Sequence, residues 1–129
     1  MNKIATLRNS RGQNTPNLLK VVEDIEGFGS DGITIHPRPD ERHIRYSDAL
    51  ELSKIIKSEL NIEGNPIDNF MQLVLKIKPT QVTLVPDGIN NITSNSGWDT
   101  IRHSEFLGKK IEELKSCGIR TSVFVNPDP

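Results

Sequence analysis

Gly32-Ile33-Thr34-Ile35-His36-Pro37-Arg38-Pro39-Asp40-Glu41-Arg42-His43-Ile44 passes from a short apolar run directly into a loop dense with charge. Gly32 to Ile35 has the β-branched composition of a buried strand, and it stops at His36. Upstream, Thr15 followed by Pro16 predicts an N-cap with proline at the first helical position. Leu18, Leu19, Val22 and Ile25 then recur at helical spacing, and Gly27 and Gly29 close the element. Downstream, Ser47 predicts the cap of a second helix carrying Leu50, Ile55 and Ile56, and Asn61 to Glu63 predicts a very short strand. Pro66 opens a third helix bearing Phe70, Leu73, Val74 and Ile77. Val82 to Val85 is a third strand, broken by Pro86, and the polar run from Asp87 to Asp99 is a loop. A fourth helix is expected from about Thr100 to Ser116, and a fourth strand from Ile119 to Val125.

Strands separated by single helices imply βαβ units, parallel pairing and right-handed crossovers. Four such strands fit either the start of a doubly wound sheet or one arc of a (β/α)₈ barrel. No G-x-G-x-x-G follows a strand, which weakens the dinucleotide-binding alternative. The chain contains no internal repeat, low-complexity tract or linker, and its 129 residues suit a single domain.

The formal net charge is −1, an even balance that argues against a broad footprint for nucleic acid or an anionic membrane surface. No apolar run approaches the roughly 18 residues of a membrane span, and the N-terminus lacks the apolar core of a secretory signal. A cytoplasmic protein is expected. The single cysteine, Cys117, excludes an internal disulfide and is expected to be a small buried group at a helix end. Hydrophobic residues make up 34 % of the chain, low for a globular domain, so either its surface is unusually polar or part of its core belongs to chain beyond these residues.

His36 and Arg38 follow the first strand, Glu63 ends the second, and Thr93 lies in the loop after the third. In parallel α/β architectures the carboxyl ends of the strands open onto one face, so these side chains should converge there. The prolines of the 36–44 loop restrict its backbone, and its arginines offer planar forks matched to phosphate oxygens. The plainer alternative is a solvated loop in which those arginines pair with Asp40 and Glu41. A half-buried Glu63 suits general acid–base work, although a strand-end salt bridge is the ordinary role of such a residue. His36, His43, His103, Asp40 and Glu63 show no metal-ligand spacing, so no metal is expected. Trp98 and Phe106 are expected to be packing residues.

Along its whole length the sequence resembles the pyridoxine 5′-phosphate synthase family. The matching pieces are NKIATLRNSRG (2–12), DGITIHPRPDERHI (31–44), NIEG (61–64), KPTQVTLVPD (78–87), ITSNSGWD (92–99) and the closing GIRTSVFVNPDP. The resemblance implies a (β/α)₈ barrel of which residues 1–129 form a partial barrel covering roughly strands two to five. It also implies condensation of 1-deoxy-D-xylulose 5-phosphate with 3-amino-2-oxopropyl phosphate, giving pyridoxine 5′-phosphate, phosphate and water. His36 and Glu63 match the family's two proton-acceptor positions. Arg38, His43 and Thr93 match residues that bind the deoxyxylulose phosphate, and Arg11 matches a contact to the amino-oxopropyl phosphate. Asn2 and Lys3 stand where many members carry Asp-His that touches the deoxyxylulose phosphate.

The implied reaction moves protons at several stages and gathers two anionic substrates, so it needs acid–base groups and fixed donors but no redox cofactor. Homo-oligomers are implied for the full-length enzyme. The family's third catalytic group, a His in a distal glycine-rich loop, has no counterpart in these residues. A fragment is therefore expected, with two open strand edges and exposed apolar inner helix faces. The alternatives are a catalytically incomplete half-barrel that only binds a phosphorylated ligand or a partner half, and a different sugar-phosphate barrel enzyme such as an aldolase. No lysine sits at a strand end positioned for a Schiff base, which disfavours the aldolase.

Overall fold

The structure, a computed structural model, describes residues 1–87 and 96–127. Among the described residues the elements are α1 (Asn2–Arg11), α2 (Leu18–Gly27), β1 (Gly32–Ile35), α3 (Tyr46–Ile55), β2 (Glu59–Gly64), α4 (Asp68–Ile77), β3 (Gln81–Leu84), α5 (Ser104–Ser116) and β4 (Arg120–Val123). The four strands pair in parallel in the order β1-β2-β3-β4. Each crossover steps the same way, so right-handedness keeps the connecting helices on one face. A doubly wound sheet would reverse its strand order, and this one does not.

One face of the sheet presents Ile33, Ile35, Leu60, Ile62, Val82 and Leu84, packed with Val22, Leu52, Phe70, Val74 and Leu114 from the helices in a single core. Burying each such side chain contributes about 1.5–3 kcal/mol. The opposite face is polar. Asn61 Nδ2 donates to Thr34 Oγ1 at 3.4 Å, Thr83 Oγ1 to Asn61 Oδ1 at 3.0 Å, and Gln81 Nε2 to the same oxygen at 3.3 Å. Arg120 completes the row, donating to Gln81 Oε1 at 2.7 Å and pairing with Glu59. The apolar residues of these strands are thus confined to the helix-packed face. The apolar helix faces expected to lie bare are instead packed against β1 to β3.

The N-terminal segment, to which the residue pattern assigned no element, is helical. Residues 2–11 are helix α1, closed by Gly12 at φ 65°, a left-handed conformation that glycine adopts without steric penalty. Its Arg8 forks onto the buried Asp48 of α3, with Nη1 to Oδ1 and Nη2 to Oδ2 both at 2.7 Å. Such a tertiary bond leaves no local sequence signal.

Several helix starts also move. α2 is capped by Asn17, whose Oδ1 accepts from Lys20 N at 3.1 Å, rather than by Thr15. α3 begins at Tyr46, ahead of Ser47, because the Asp48 carboxylate reaches back to Arg45 N at 2.8 Å. α5 begins at Ser104 rather than Thr100, because Asp99 Oδ1 accepts from Ile101 N and Arg102 N and holds a separate turn. Cys117 is exposed at the end of α5, not buried. Trp98 does pack against the core, with its ring 5.9 Å from that of Phe106.

At the end of β2, Gly64 faces the Phe70 ring so closely that an added Cβ would overlap it. Phe70 is 1 % exposed and has no room to retreat. Gly64→Ala should therefore lower stability by about 1–3 kcal/mol through overpacking. Urea unfolding should register this as a lower midpoint at unchanged slope. A midpoint equal to the parent's would show that the ring yields without cost.

Candidate functional site

The register brings β1 and β2 to the same end of the sheet. Ile35 stands opposite Ile62, so His36 and Glu63 each lie one residue beyond a paired position on neighbouring strands. Alternation turns both away from the helix-packed face, because Ile35 and Ile62 point into it. Glu63 is the penultimate residue of β2, which continues to Gly64. Asn2, at the start of α1, docks on the same rim, its Oδ1 accepting from His36 N at 2.9 Å.

The loop from His36 to Ile44 is tied down along its length. Pro37 and Ile44 form an isolated parallel bridge, and Glu41 N closes a turn onto Arg38 O at 2.9 Å. Asn9 of α1 donates to Arg42 O at 3.2 Å and to His43 O at 2.9 Å. The two sequence-based readings of this loop divide between its arginines. Arg42 pairs with Asp40 at 2.5 Å at the surface, as a solvated loop requires. Arg38 turns inward, 3 % exposed, and its Nη1 donates to Asp87 Oδ2 at 3.0 Å. His43 is half-buried with its ring 5.9 Å from that of His36. Its Nδ1 accepts from Ile44 N at 2.9 Å, so in the neutral ring the proton sits on Nε2.

Burial dominates the protonation of this rim. Desolvation disfavours the His36 imidazolium, Arg38, His43 and Arg42 add to the effect, and Asp87 opposes it, leaving the pKa at about 4. The 3.8 Å approach of His36 Nε2 to Asp87 Oδ2 is thus an ion–dipole contact at neutral pH. Desolvation and then the Asp87 charge push Glu63 above its ordinary value, against the pull of the N-terminal ammonium. Burial, followed by Arg38, lowers His43 as well. The rim therefore places an imidazole that burial keeps neutral at ordinary pH beside a carboxyl group whose proton affinity is raised.

Of the residues selected from sequence, His36, Arg38, His43, Glu63 and Asn2 come together at this end of the sheet. Lys3 is exposed on α1, and Arg11 is exposed at that helix's far end, about 13 Å of helix from Asn2. Thr93 lies outside the described residues. Asp87 went unrecognised as part of the site. Its position just past a strand end is the same signal that marked His36 and Glu63. Among the described residues no group of three or more His, Cys, Asp or Glu side chains could hold a metal ion, and no helix is long and apolar enough to cross a membrane.

Among the described residues the chain is thus an α/β protein whose parallel sheet steps one way, with an imidazole and a carboxyl group at neighbouring strand ends. The family model described as "Pyridoxal phosphate biosynthesis protein PdxJ" matches residues 1–129, and the chain belongs to that family. It is 65 % identical over 127 residues to the pyridoxine 5′-phosphate synthase of Cytophaga hutchinsonii, covering 98 % of this chain and 53 % of that protein. Against the synthase of Flavobacterium johnsoniae identity is 64 % over 127 residues, covering 98 % of this chain and 54 % of that protein. With that of Bacteroides thetaiotaomicron it is 60 % over 129 residues, covering 100 % and 54 %. The chain spans about half the length of the curated relatives it matches.

At about pH 5.5, where an ordinary histidine is mostly protonated, His36 should remain neutral in an ¹⁵N NMR titration. Between 6.5 and about 4 the unfolded chain takes up a proton at His36 that the folded chain refuses. The His36 contribution to stability therefore rises with pH across that window, by a slope of up to roughly one proton. Glu63, with its pKa raised, acts in the opposite sense, its contribution falling as pH rises past its ordinary value. A His36 midpoint near 6.5 would contradict the buried, neutral assignment.

Proposed function

We propose that this chain carries the N-terminal half of a pyridoxine 5′-phosphate synthase site, as one partial (β/α)₈-barrel domain over residues 1–129. The reading is carried by one observation. In a chain matched throughout to the PdxJ family, His36 and Glu63 extend side by side from neighbouring strands at one rim. The substrates would be 1-deoxy-D-xylulose 5-phosphate and 3-amino-2-oxopropyl phosphate, joined with loss of phosphate and water. His36, neutral at physiological pH, would take a proton from the condensing pair. Glu63 would relay a second one as the carbinolamine dehydrates and the ring closes.

Arg38, His43 and Thr93 would hold the deoxyxylulose phosphate, with Asn2 and Lys3 at the edge of that subsite and Arg11 reaching the amino-oxopropyl phosphate. Arg38 is already braced by Asp87, which suits a fork that must meet phosphate oxygens in fixed geometry. No cofactor enters this scheme. The working enzyme would be a cytoplasmic homo-oligomer that does not bind nucleic acid.

Glu63→Gln in an enzyme containing this half should reduce turnover by about 10²–10⁴-fold, the usual contribution of a general acid–base group. Binding of deoxyxylulose phosphate, read by calorimetry, should survive. Undiminished turnover would reject the role of Glu63. Pyridoxine 5′-phosphate formation by the 129-residue chain alone would show that these strands suffice without a distal half.

A further inference from the structure

Asp87 sits three residues past the end of β3, where three separate segments meet it. Its backbone is tied to the end of β2 by Asn65 Nδ2, which donates to Asp87 O at 2.9 Å, just after Val85 N bonds to Gly64 O at 3.0 Å. Its side chain is 4 % exposed. Oδ2 accepts from Arg38 Nη1 at 3.0 Å and stands 3.8 Å from His36 Nε2. An ionised carboxylate buried this deeply requires a positive partner, and the Arg38 guanidinium supplies it. The same oxygen can then polarise His36 without forming an ion pair with it.

We propose that Asp87 is a positioning residue for the proton-transfer pair, its buried carboxylate holding the His36 imidazole with hydrogen on Nε2 so that Nδ1 is the basic atom. A neutral imidazole has one donor and one acceptor nitrogen, and a nearby negative charge favours the tautomer whose N–H faces it. The other charged or titratable groups facing His36 are Arg38, His43 and Arg42, all of its own loop. None of these is an anion, so among the described residues Asp87 is the group that pulls the proton toward Nε2. Glu63 meets the same carboxylate and the N-terminal ammonium, and the repulsion from Asp87 favours its protonated form. One buried charge thus biases both members of the pair. The significance for catalysis rests on the assignment of His36 and Glu63 above, whereas the test does not.

The test is a long-range ¹H–¹⁵N correlation spectrum of the ¹⁵N-labelled 129-residue chain at neutral pH, followed by titration. In the parent, His36 Nε2 should resonate as protonated and Nδ1 as unprotonated. Asp87→Asn should give a mixed or reversed tautomer, and its His36 midpoint should fall below the parent's value of about 4. An unchanged tautomer would overturn the proposal. So would a midpoint risen toward 6.5, which would mean that the carboxylate merely keeps the loop packed. Asp87→Glu, which keeps the charge on a longer arm, guards against a folding failure. It should retain the parent's tautomer, and reversal in a folded Asp87→Glu chain would equally overturn the proposal. Turnover is not read, so a fully active Glu63→Gln enzyme would defeat the functional assignment and leave the tautomer result standing.

Discussion

Four parallel strands joined by right-handed crossovers, each stepping the same way, constrain everything else in this structure. The helices collect on one face, which must then be apolar. The other face is released from that requirement and carries Thr34, Asn61, Gln81, Thr83 and Arg120 in a hydrogen-bonded row. The same winding brings every strand's carboxyl end to one side. His36, Glu63 and Asp87 leave three different strands and meet there for that reason alone.

Once gathered, these groups are governed by burial more than by pairing. His36 is 6 % exposed and Arg38 3 %, and little water reaches either. In such surroundings burial disfavours the charged form of each group, lowering the pKa of His36 and raising that of Glu63 from their ordinary values. Arg38 and Asp87 face each other as an ion pair at 3.0 Å. The two groups whose proton affinities burial shifts are thus framed by the Arg38–Asp87 ion pair.

The support behind the rim is equally specific. The Arg8 fork on Asp48 joins α1 to α3, and Asn9 reaches from α1 to the carbonyls of Arg42 and His43. Burial pushes the Asp48 carboxyl upward, but Arg8 and the amide of Arg45 outweigh it and hold the group below its usual value. The loop carrying the candidate phosphate-binding side chains is therefore braced from behind by a helix, besides being stiffened by its own prolines.

The order of strands and helices was legible from residue patterns alone. Apolar runs such as Gly32 to Ile35 and helical spacing such as Phe70, Leu73 and Val74 are local properties, and pattern detects them directly. The position of His36 and Glu63 at strand ends followed from the same alternation. Only tertiary structure decided that α1 is a helix, that Arg38 faces Asp87 while Arg42 stays with Asp40, and that Asp87 belongs to the site. The Arg8–Asp48 and Arg38–Asp87 contacts join residues some forty to fifty positions apart. A pattern confined to one turn of helix or two steps of strand carries no information across such distances.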